Sequence, residues 1–123
     1  MIHTLDLIVP AFNEEKTIER ALESLRSQEF PDNYRLNVFV IVNGATDNTY
    51  RVALRIATLL NSEKISFAVE KIGVAGKPQA LNCGLGLTKS NIVGCMDADV
   101  KLSKDVVFLT VRELISDNKI KVV

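Results

Sequence analysis

The sequence contains few of the residues that build disulfide frameworks or zinc sites. Its 123 residues include two cysteines, Cys83 and Cys95, and one histidine, His3. Two cysteines in apolar surroundings are typical of small core side chains rather than of a disulfide framework. One histidine without a Cys-x-x-Cys pair does not supply the usual ligands of zinc. The composition therefore indicates neither a disulfide-stabilised protein nor a zinc protein.

Neither sign of charge is in excess, and the sequence has no long apolar run. Fifteen Lys and Arg balance fifteen Asp and Glu, so the formal net charge is zero and no nucleic-acid partner is indicated. No apolar run reaches membrane-spanning length, and Asp6 and Pro10 interrupt the segment where a signal peptide would need apolar residues. We expect one globular domain, residues 1–123, in the cytoplasm, at the inner face of a membrane if it is part of a longer protein.

Glycine-rich phosphate-binding motifs are also missing. After the first apolar run the chain reads PAFNEE at residues 10–15, without a glycine, and no G-x-x-x-x-G-K-[ST] segment occurs anywhere. The lone G-x-G at residues 84–86 falls within or just past a predicted helix, where it is weak evidence for a nucleotide site. A bound phosphate group would therefore have to be held mainly by a metal ion.

Strand-like and helix-like segments alternate along the chain. Runs rich in β-branched and aromatic residues predict strands, and apolar residues at helical spacing predict the helices between them. The predicted strands cover residues 5–9, 36–42, 65–69, 92–96 and 119–123, and the third predicted helix covers residues 79–87. The order βαβαβαβαβ predicts a Rossmann-like α/β fold, in which a mostly parallel sheet is flanked by helices.

Local signals predict where the elements begin and end. Pro10 is expected to end the first strand, and Asn13 to cap the first helix. The second helix is expected to begin with Thr46 or Asp47 as its cap, and the last helix with Ser103. The predicted buried stripes consist of Val52, Ile56, Leu59 and Leu60 in the second helix and of Val106, Val107, Thr110, Val111 and Leu114 in the last.

Two carboxylates, Asp97 and Asp99, directly follow the fourth predicted strand. Only the small Ala98 separates them, and side chains two residues apart point the same way if the backbone stays extended. A hard divalent cation takes one or two carboxylates and fills its other positions with phosphate oxygens. The pair therefore predicts either a metal that holds a diphosphate or a loop with two solvated acids. Residues 10–14 and 43–47 also follow strands, and ligands of parallel sheets lie at that edge, which favours the metal site.

Four segments, taken together, resemble family 2 glycosyltransferases. They are VPAFNEE at residues 9–15, NGATDNT at residues 43–49, GKPQALN at residues 76–82 and the D-x-D triplet at residues 97–99. Each motif alone is common, but the four stand in the family's order and on the expected elements, over nearly the whole chain. The resemblance implies the N-terminal half of a GT-A fold and a glycosyltransferase that uses a nucleotide-diphosphate sugar, usually a UDP-sugar.

The resemblance also implies roles for particular residues. A Mn²⁺ or Mg²⁺ ion is expected to bridge Asp99 to the diphosphate, with Asp97 as the second carboxylate, near the ribose or donor sugar. Such a cation acts as a Lewis acid toward the departing diphosphate. Lys77 is expected to reach the base or the phosphates. The residues expected to line the nucleotide pocket are Pro10, Ala11 and Glu14.

The sequence departs from the family pattern at two places. Val42 stands where the family usually has an aspartate that bonds the base, and the adjacent Asn43 offers a donor and an acceptor that could still read a base edge. In the family, the acceptor site and the catalytic base come from sequence well beyond the D-x-D, and this chain continues for about two dozen residues after Asp99. We therefore expect the donor-binding half of an enzyme, with the catalytic base beyond residue 123 and no transfer by this chain alone.

The same features allow other functions. The chain could be a module that binds a nucleotide sugar without transferring the sugar, or an assembly protein with a vestigial site. A nucleotidyltransferase would normally show a glycine-rich, basic loop after the first strand, and PAFNEE is not such a loop. The resemblance also implies that later sequence adds a strand beside the fourth strand in the family. Because that strand would otherwise be an uncovered, apolar edge of the sheet, we also expect the chain to self-associate as a dimer.

Overall fold

The computed structural model describes residues 1–116, in which four strands and four helices alternate along the chain. The elements are β1 (His3–Ala11), α1 (Ile18–Arg26), β2 (Tyr34–Asn43), α2 (Thr49–Leu60), β3 (Ile65–Ile72), α3 (Lys77–Leu87), β4 (Ile92–Cys95) and α4 (Val106–Ser116). The predicted α/β class is confirmed. The predicted strand at residues 119–123 lies outside the described residues. Within residues 1–116, no helix is long and apolar enough to cross a membrane.

The four strands form one parallel sheet in the order β3-β2-β1-β4. The chain builds outward from β1 to β3 and then crosses to the other side of β1, so the order reverses between β1 and β4. The last residue pair of β1 and β4 is Ile8 with Cys95, whereas β1 continues beside β2 as far as the pair Ala11 and Val42. A gap therefore opens between β1 and β4 at their carboxyl ends, where open α/β sheets bind ligands.

Helices cover both faces of the sheet, as parallel strands require. Alternate residues of β1, such as Leu7 and Val9, pack with α1, α2 and α4 in the larger core cluster. Ile8 points the other way and packs with Ile41 and Ala80 in the smaller cluster under α3. Among the described helices, α3 alone covers that second face.

The tightest of these contacts involves Gly84 of α3 and Ile8 of β1. A Cβ atom built on Gly84 would lie 2.6 Å from Ile8 Cγ2, far closer than ordinary van der Waals contact. Ile8 is fully buried and cannot easily move aside. Within the G-x-G at residues 84–86, Gly84 therefore permits close packing of the helix on the sheet. Gly86 has no such role, because nothing lies within 4 Å of a Cβ built on it.

Pro10 does not end β1, contrary to the prediction from sequence. It lies inside the strand and pairs in register with Ile41 of β2. The carbonyl of Ile8 accepts a hydrogen bond from the N–H of Met96, so this side of Ile8 faces β4. The backbone groups of a strand face its two neighbours alternately, with a period of two residues. The nitrogen of Pro10 therefore faces the same side as the backbone of Ile8, toward the gap where β4 has already separated. A proline is tolerated there because no ladder hydrogen bond is lost.

Asn13 does not cap α1, which begins at Ile18 with Thr17 as its N-cap residue. Asn13 instead has a φ of 51°, in the left-handed region that asparagine tolerates. Its Oδ1 accepts a hydrogen bond from the N–H of Thr46 at 2.9 Å. The carbonyl of Glu14 accepts from the N–H groups of Thr17 and Ile18 and makes the turn before the helix. The cap was predicted one turn too early because Asn13 bonds the neighbouring loop.

The first turn of α2 also differs from the prediction. The N-cap residue is Asn48, not Thr46 or Asp47. Asp47 nevertheless accepts a hydrogen bond from the N–H of Thr49 through Oδ1 at 2.9 Å, so its carboxylate does satisfy an N–H group of the first turn.

The buried stripes were predicted well for α4 and partly for α2. In α2, Ile56 is buried, but Leu59 is 72% exposed, and Ala53 and Ala57 face the core in its place. Small alanines allow α2 to approach the sheet, and apolar character alone did not reveal this. The predicted residues of α4 that are buried are Val107, Val111 and Leu114.

A buried carboxylate near the start of β1 was not predicted. Asp6 is 2% exposed, and it accepts hydrogen bonds from Asn37 Nδ2 at 2.9 Å and Ser90 Oγ at 2.8 Å. It also accepts from the N–H groups of Lys89 and Ser90 at 2.8 and 3.0 Å. Burial acts to raise the pKa of Asp6, but these hydrogen bonds outweigh burial and lower the pKa below its usual value. The carboxylate therefore ties the segment before β4 to β1 and β2.

Candidate functional site

A cleft of about 570 Å³ lies at the carboxyl ends of β1, β2 and β4, beside the start of α3. Six of the seven residues predicted for the site line it, which are Pro10, Glu14, Asn43, Lys77, Asp97 and Asp99. A concavity of about 670 Å³ lies near the amino ends of β1 and β4, but no carboxylate is among its described lining residues. The chemistry of the side chains therefore favours the cleft of about 570 Å³ as the functional site.

The seventh predicted residue, Ala11, does not line the cleft. It is 1% exposed and belongs to the larger core cluster. Successive residues of a strand point to opposite faces, so Ala11 is directed into the core while Pro10 borders the cleft. Phe12, which was not predicted, lines the cleft with a ring that is 48% exposed. Its position immediately after β1 was the signal that could have identified it.

The two carboxylates lie on a turn rather than on an extended segment. β4 ends at Cys95, and the N–H of Val100 bonds the carbonyl of Asp97 at 3.2 Å. The condition for the two side chains to point the same way, an extended backbone, is therefore not met. Both Asp97 and Asp99 nevertheless border the cleft, and Ala98 between them is buried.

Lys77 and Asp97 form an ion pair across the cleft. Lys77 Nζ lies 2.8 Å from Asp97 Oδ1, which connects the first residue of α3 to the turn after β4. The hydrogen bond and the charge of Asp97 raise the pKa of Lys77 above its usual value. Both side chains are more than half exposed, so the pair is screened by solvent and can open at little cost when a ligand enters.

Hydrogen bonds join the loop after β1 to the loop after β2. The N–H of Glu14 donates to Thr49 Oγ1 at 2.8 Å, and Thr17 Oγ1 donates to Glu14 Oε2 at 2.7 Å. Thr49 Oγ1 in turn donates to Asp47 Oδ1. Partial burial acts to raise the pKa of Asp47, but hydrogen bonds from Thr49 and from the N–H of Glu15 outweigh it and lower the pKa. These contacts fix Glu14 at the edge of the cleft.

The end of α1 holds the segment that follows the two carboxylates. Gln28 Nε2 donates to the carbonyl of Ser103 at 2.6 Å, and Gln28 Oε1 accepts from the N–H of Val107 at 2.9 Å. Ser24 Oγ accepts from the N–H of Leu102 at 3.1 Å. Both Gln28 and Ser24 are buried. The sequence did not indicate this anchor, because its partners lie more than 70 residues apart.

Asn43 is 2% exposed, and its side-chain amide forms hydrogen bonds with backbone groups from three separate segments. Nδ2 donates to the carbonyls of Ala11 at 3.2 Å and Ile41 at 3.4 Å. Oδ1 accepts from the N–H of Gly76 at 3.1 Å. The amide thus connects the ends of β1 and β2 with the residue that precedes α3.

The donor set of the cleft fits a hard divalent cation that is shared with a ligand. Among residues 1–116, no cluster of three or more Asp, Glu, His or Cys side chains is arranged to hold a metal alone. Asp97 and Asp99 offer carboxylate oxygens at the rim, and the remaining positions of a Mg²⁺ or Mn²⁺ ion are normally filled by water and by phosphate oxygens of the substrate. These two residues would therefore hold such an ion only together with a phosphorylated ligand.

The fold and the cleft define a Rossmann-like domain with carboxylates at the point where the strand order reverses. The sequence profile described as Glycosyl transferase family 2 matches residues 6–123. The chain belongs to this family, as its four motifs had indicated.

Several glycosyltransferases are similar to the chain in sequence. Poly-beta-1,6-N-acetyl-D-glucosamine synthase of Staphylococcus epidermidis is 24% identical over 119 residues, which are 97% of this chain and 27% of that protein. Poly(ribitol-phosphate) beta-N-acetylglucosaminyltransferase TarS of Staphylococcus aureus is 32% identical over 99 residues, which are 80% of this chain and 17% of TarS. The chain thus spans less than a third of the length of these relatives.

Solved structures share the fold. Residues 1–349 of Staphylococcus aureus TarS superpose with a TM-score of 0.79 at 23% identity, over 94% of this chain and 33% of that one. The same TarS fragment has been solved with UDP and with UDP-GlcNAc. The mannosyltransferase PcManGT of Pyrobaculum calidifontis, solved with GDP-Man and Mn²⁺, has a TM-score of 0.66 at 28% identity, over 80% of this chain and 28% of that one.

Proposed function

We propose that the chain is the donor-binding part of a glycosyltransferase that uses a nucleotide-diphosphate sugar. The sugar would be transferred to an acceptor that the described residues do not identify. Family membership and the TarS fold support a transferase, and the complexes of TarS with UDP and UDP-GlcNAc favour uridine over guanosine. The GDP-Man complex of the mannosyltransferase keeps guanosine as the competing base.

The charge of the cleft is the observation that carries this proposal. Three carboxylates line it, on Glu14, Asp97 and Asp99, against one ammonium group, on Lys77. A diphosphate alone would be repelled by this excess of negative charge. A divalent cation held by Asp99 and Asp97 would remove the repulsion, and a bound cation of this kind stabilises the departing diphosphate as a Lewis acid. Donor binding is therefore expected to require Mn²⁺ or Mg²⁺.

The other lining residues have roles that follow from their chemistry. The exposed ring of Phe12 offers an apolar π face on which a nucleobase can stack. Lys77 lies within reach of Asp97 and can turn to a phosphate oxygen once a ligand enters. Pro10 and Glu14 form the wall of the cleft beside the β1 end. No residue from 1 to 116 is assigned as the catalytic base.

Calorimetry of UDP binding with and without Mn²⁺ tests the proposal. The wild-type chain is expected to bind UDP only with the metal present. In Asp99→Asn the affinity is expected to fall about tenfold or more, because a charged ligand to the cation is lost. Asp105→Asn is the matched control, since it removes the same charge from an exposed residue that does not line the cleft. Equal UDP affinity with and without metal would remove the basis of the proposal.

Self-association and a cytoplasmic location stay predictions. Within residues 1–116, β4 has β1 as its one neighbouring strand, so its outer edge is available for pairing with a second copy. Light scattering at micromolar concentration is expected to give the mass of a dimer for the 123-residue chain. A single species with the mass of a monomer would contradict the prediction.

A further inference from the structure

The amide of Asn43 is occupied by the protein itself. Its nitrogen donates to two backbone carbonyls, and its oxygen accepts from the N–H of Gly76. A base-reading side chain must present free donors or acceptors to the ligand. Reading a base edge would require Asn43 to abandon these bonds and leave buried backbone groups unpaired, which is costly. The neighbouring Val42 is buried and apolar, so it offers no polar group either.

The segment that Asn43 holds leads directly to the ion pair of the cleft. Gly76 is the N-cap residue of α3 and has a φ of 133°, which favours glycine. The next residue is Lys77, whose ammonium group lies 2.8 Å from Asp97. The hydrogen bond from Gly76 to Asn43 therefore fixes the backbone from which the Lys77 side chain extends.

Gly44 strengthens the same connection. Its N–H donates to the carbonyl of Ile72 at 2.9 Å, and a Cβ built on it would lie 2.7 Å from the nitrogen of Ala75. The loop after β2 thus lies directly against the segment before α3. A substituent at residue 44 would push this segment away without altering the Asn43 side chain.

We infer that Asn43 is a positioning residue, which fixes the Gly76–Lys77 segment so that Lys77 can act on the diphosphate, and that it does not read the nucleobase. The part that concerns the diphosphate rests on the proposed function. The inference assigns to Asn43 an effect on phosphate binding that is independent of the base. It also requires that this effect pass through Lys77.

Binding of UDP and GDP in the presence of Mn²⁺ tests the inference in a double-mutant cycle with Lys77→Met. Asn43→Ala is expected to weaken both nucleotides equally, by about fivefold, the net effect of one hydrogen bond. In the Lys77→Met background it is expected to have no further effect. Asn43→Asp keeps an acceptor for Gly76, but it loses the donor to the two carbonyls and adds a negative charge to the cleft, so it serves only in the exchange measurement described below. Gly44→Ala, which displaces the same segment, is expected to reproduce the pattern if Asn43→Ala does not fold.

Two results of the binding measurements would overturn the inference. A loss confined to one nucleotide would mean that Asn43 reads the base, and an equal loss in the Lys77→Met background would mean that Lys77 is not involved. Amide hydrogen exchange provides an arm that needs no ligand. Asn43→Ala is expected to speed exchange of the Gly76 amide about fivefold while Asn43→Asp retains its protection. If the wild type binds neither nucleotide, the proposed function fails, and unchanged Gly76 exchange in Asn43→Ala would separately refute the positioning role.

Discussion

Replacing Gly84 by alanine tests how closely α3 is held against the sheet. The added Cβ would lie 2.6, 2.8 and 2.9 Å from Cγ2, Cγ1 and Cδ1 of Ile8. Overpacking of a core costs about 1–3 kcal/mol, and three such approaches to one buried side chain belong in the upper part of that range. Alanine favours a helix over glycine by about 1 kcal/mol, which offsets part of this cost. We expect a net loss of about 1–2 kcal/mol in the free energy of unfolding.

Urea unfolding measures this loss, and two further variants isolate its cause. Gly86→Ala is the matched control in the same helix, because no atom lies within 4 Å of its Cβ, and it is expected to be neutral or stabilising by up to about 1 kcal/mol. Ile8→Ala removes all three crowded atoms. In that background Gly84→Ala is expected to stabilise the chain by about 1 kcal/mol, since the clash is gone and the helix preference remains.

In the Ile8→Ala background, the sign of the change in the free energy of unfolding shows whether contact with Ile8 causes the cost of Gly84→Ala. If Gly84→Ala destabilises the wild type and the Ile8→Ala variant equally, the cost does not arise from contact with Ile8. If Gly84→Ala does not destabilise the wild type at all, α3 can move away from the sheet freely. Either result would refute the view that Gly84 sets the distance between α3 and β1.

Two further predictions concern buried polar groups. Asp6→Asn is expected to cost about 2–4 kcal/mol at pH 7, because each carboxylate oxygen accepts two hydrogen bonds and the NH₂ group that replaces one oxygen cannot accept them. The pKa of Asp6 is lowered in the folded state, so its stabilisation is present above the ordinary carboxyl pKa and is lost as the pH falls through the folded pKa. The difference between wild type and Asp6→Asn in urea unfolding should therefore shrink from pH 7 toward pH 3, and a constant difference would contradict this. Gln28→Met is expected to cost about 1–3 kcal/mol and to accelerate amide exchange of Val107, because it leaves buried backbone groups unpaired, whereas unchanged exchange would show that Gln28 does not anchor that segment.

The alternation of strands and helices was predictable because it depends on local periodicity. The buried residues of α4, such as Val111 and Leu114, follow from their spacing alone. The predicted element ends were wrong where a side chain with a local signal forms its hydrogen bond to a residue far away in the sequence. Asn13 has the side chain of a helix cap, but its oxygen bonds Thr46, which is 33 residues away. Proline ends a strand only where the neighbouring strand has a carbonyl group that needs an N–H donor at that position. Whether β4 places such a carbonyl opposite Pro10 depends on the topology.

Which residues line the cleft was largely predictable, but the hydrogen bonds among them were not. Residues at the carboxyl ends of parallel strands must meet at one edge of the sheet. Asp97, Glu14 and Asn43 could therefore be grouped from the alternation of strands and helices along the chain. Which groups are free for a ligand is decided by the hydrogen bonds between loops. Asn43 was predicted as a base reader because its amide is versatile, and the bonds that occupy this amide connect residues 32 and 33 positions apart.

The position of α3 links the packing of the sheet to the chemistry of the cleft. Gly84 lets the helix lie close over Ile8, and the tie from Asn43 to Gly76 fixes where the helix begins. Lys77, at this first residue, is the ammonium group that opposes the three carboxylates of the cleft. A shift of α3 away from the sheet would therefore change the charge that a diphosphate meets, although neither Gly84 nor Ile8 lines the cleft. For this reason Gly84→Ala is expected to weaken nucleotide binding as well as folding, and Gly86→Ala to affect neither adversely.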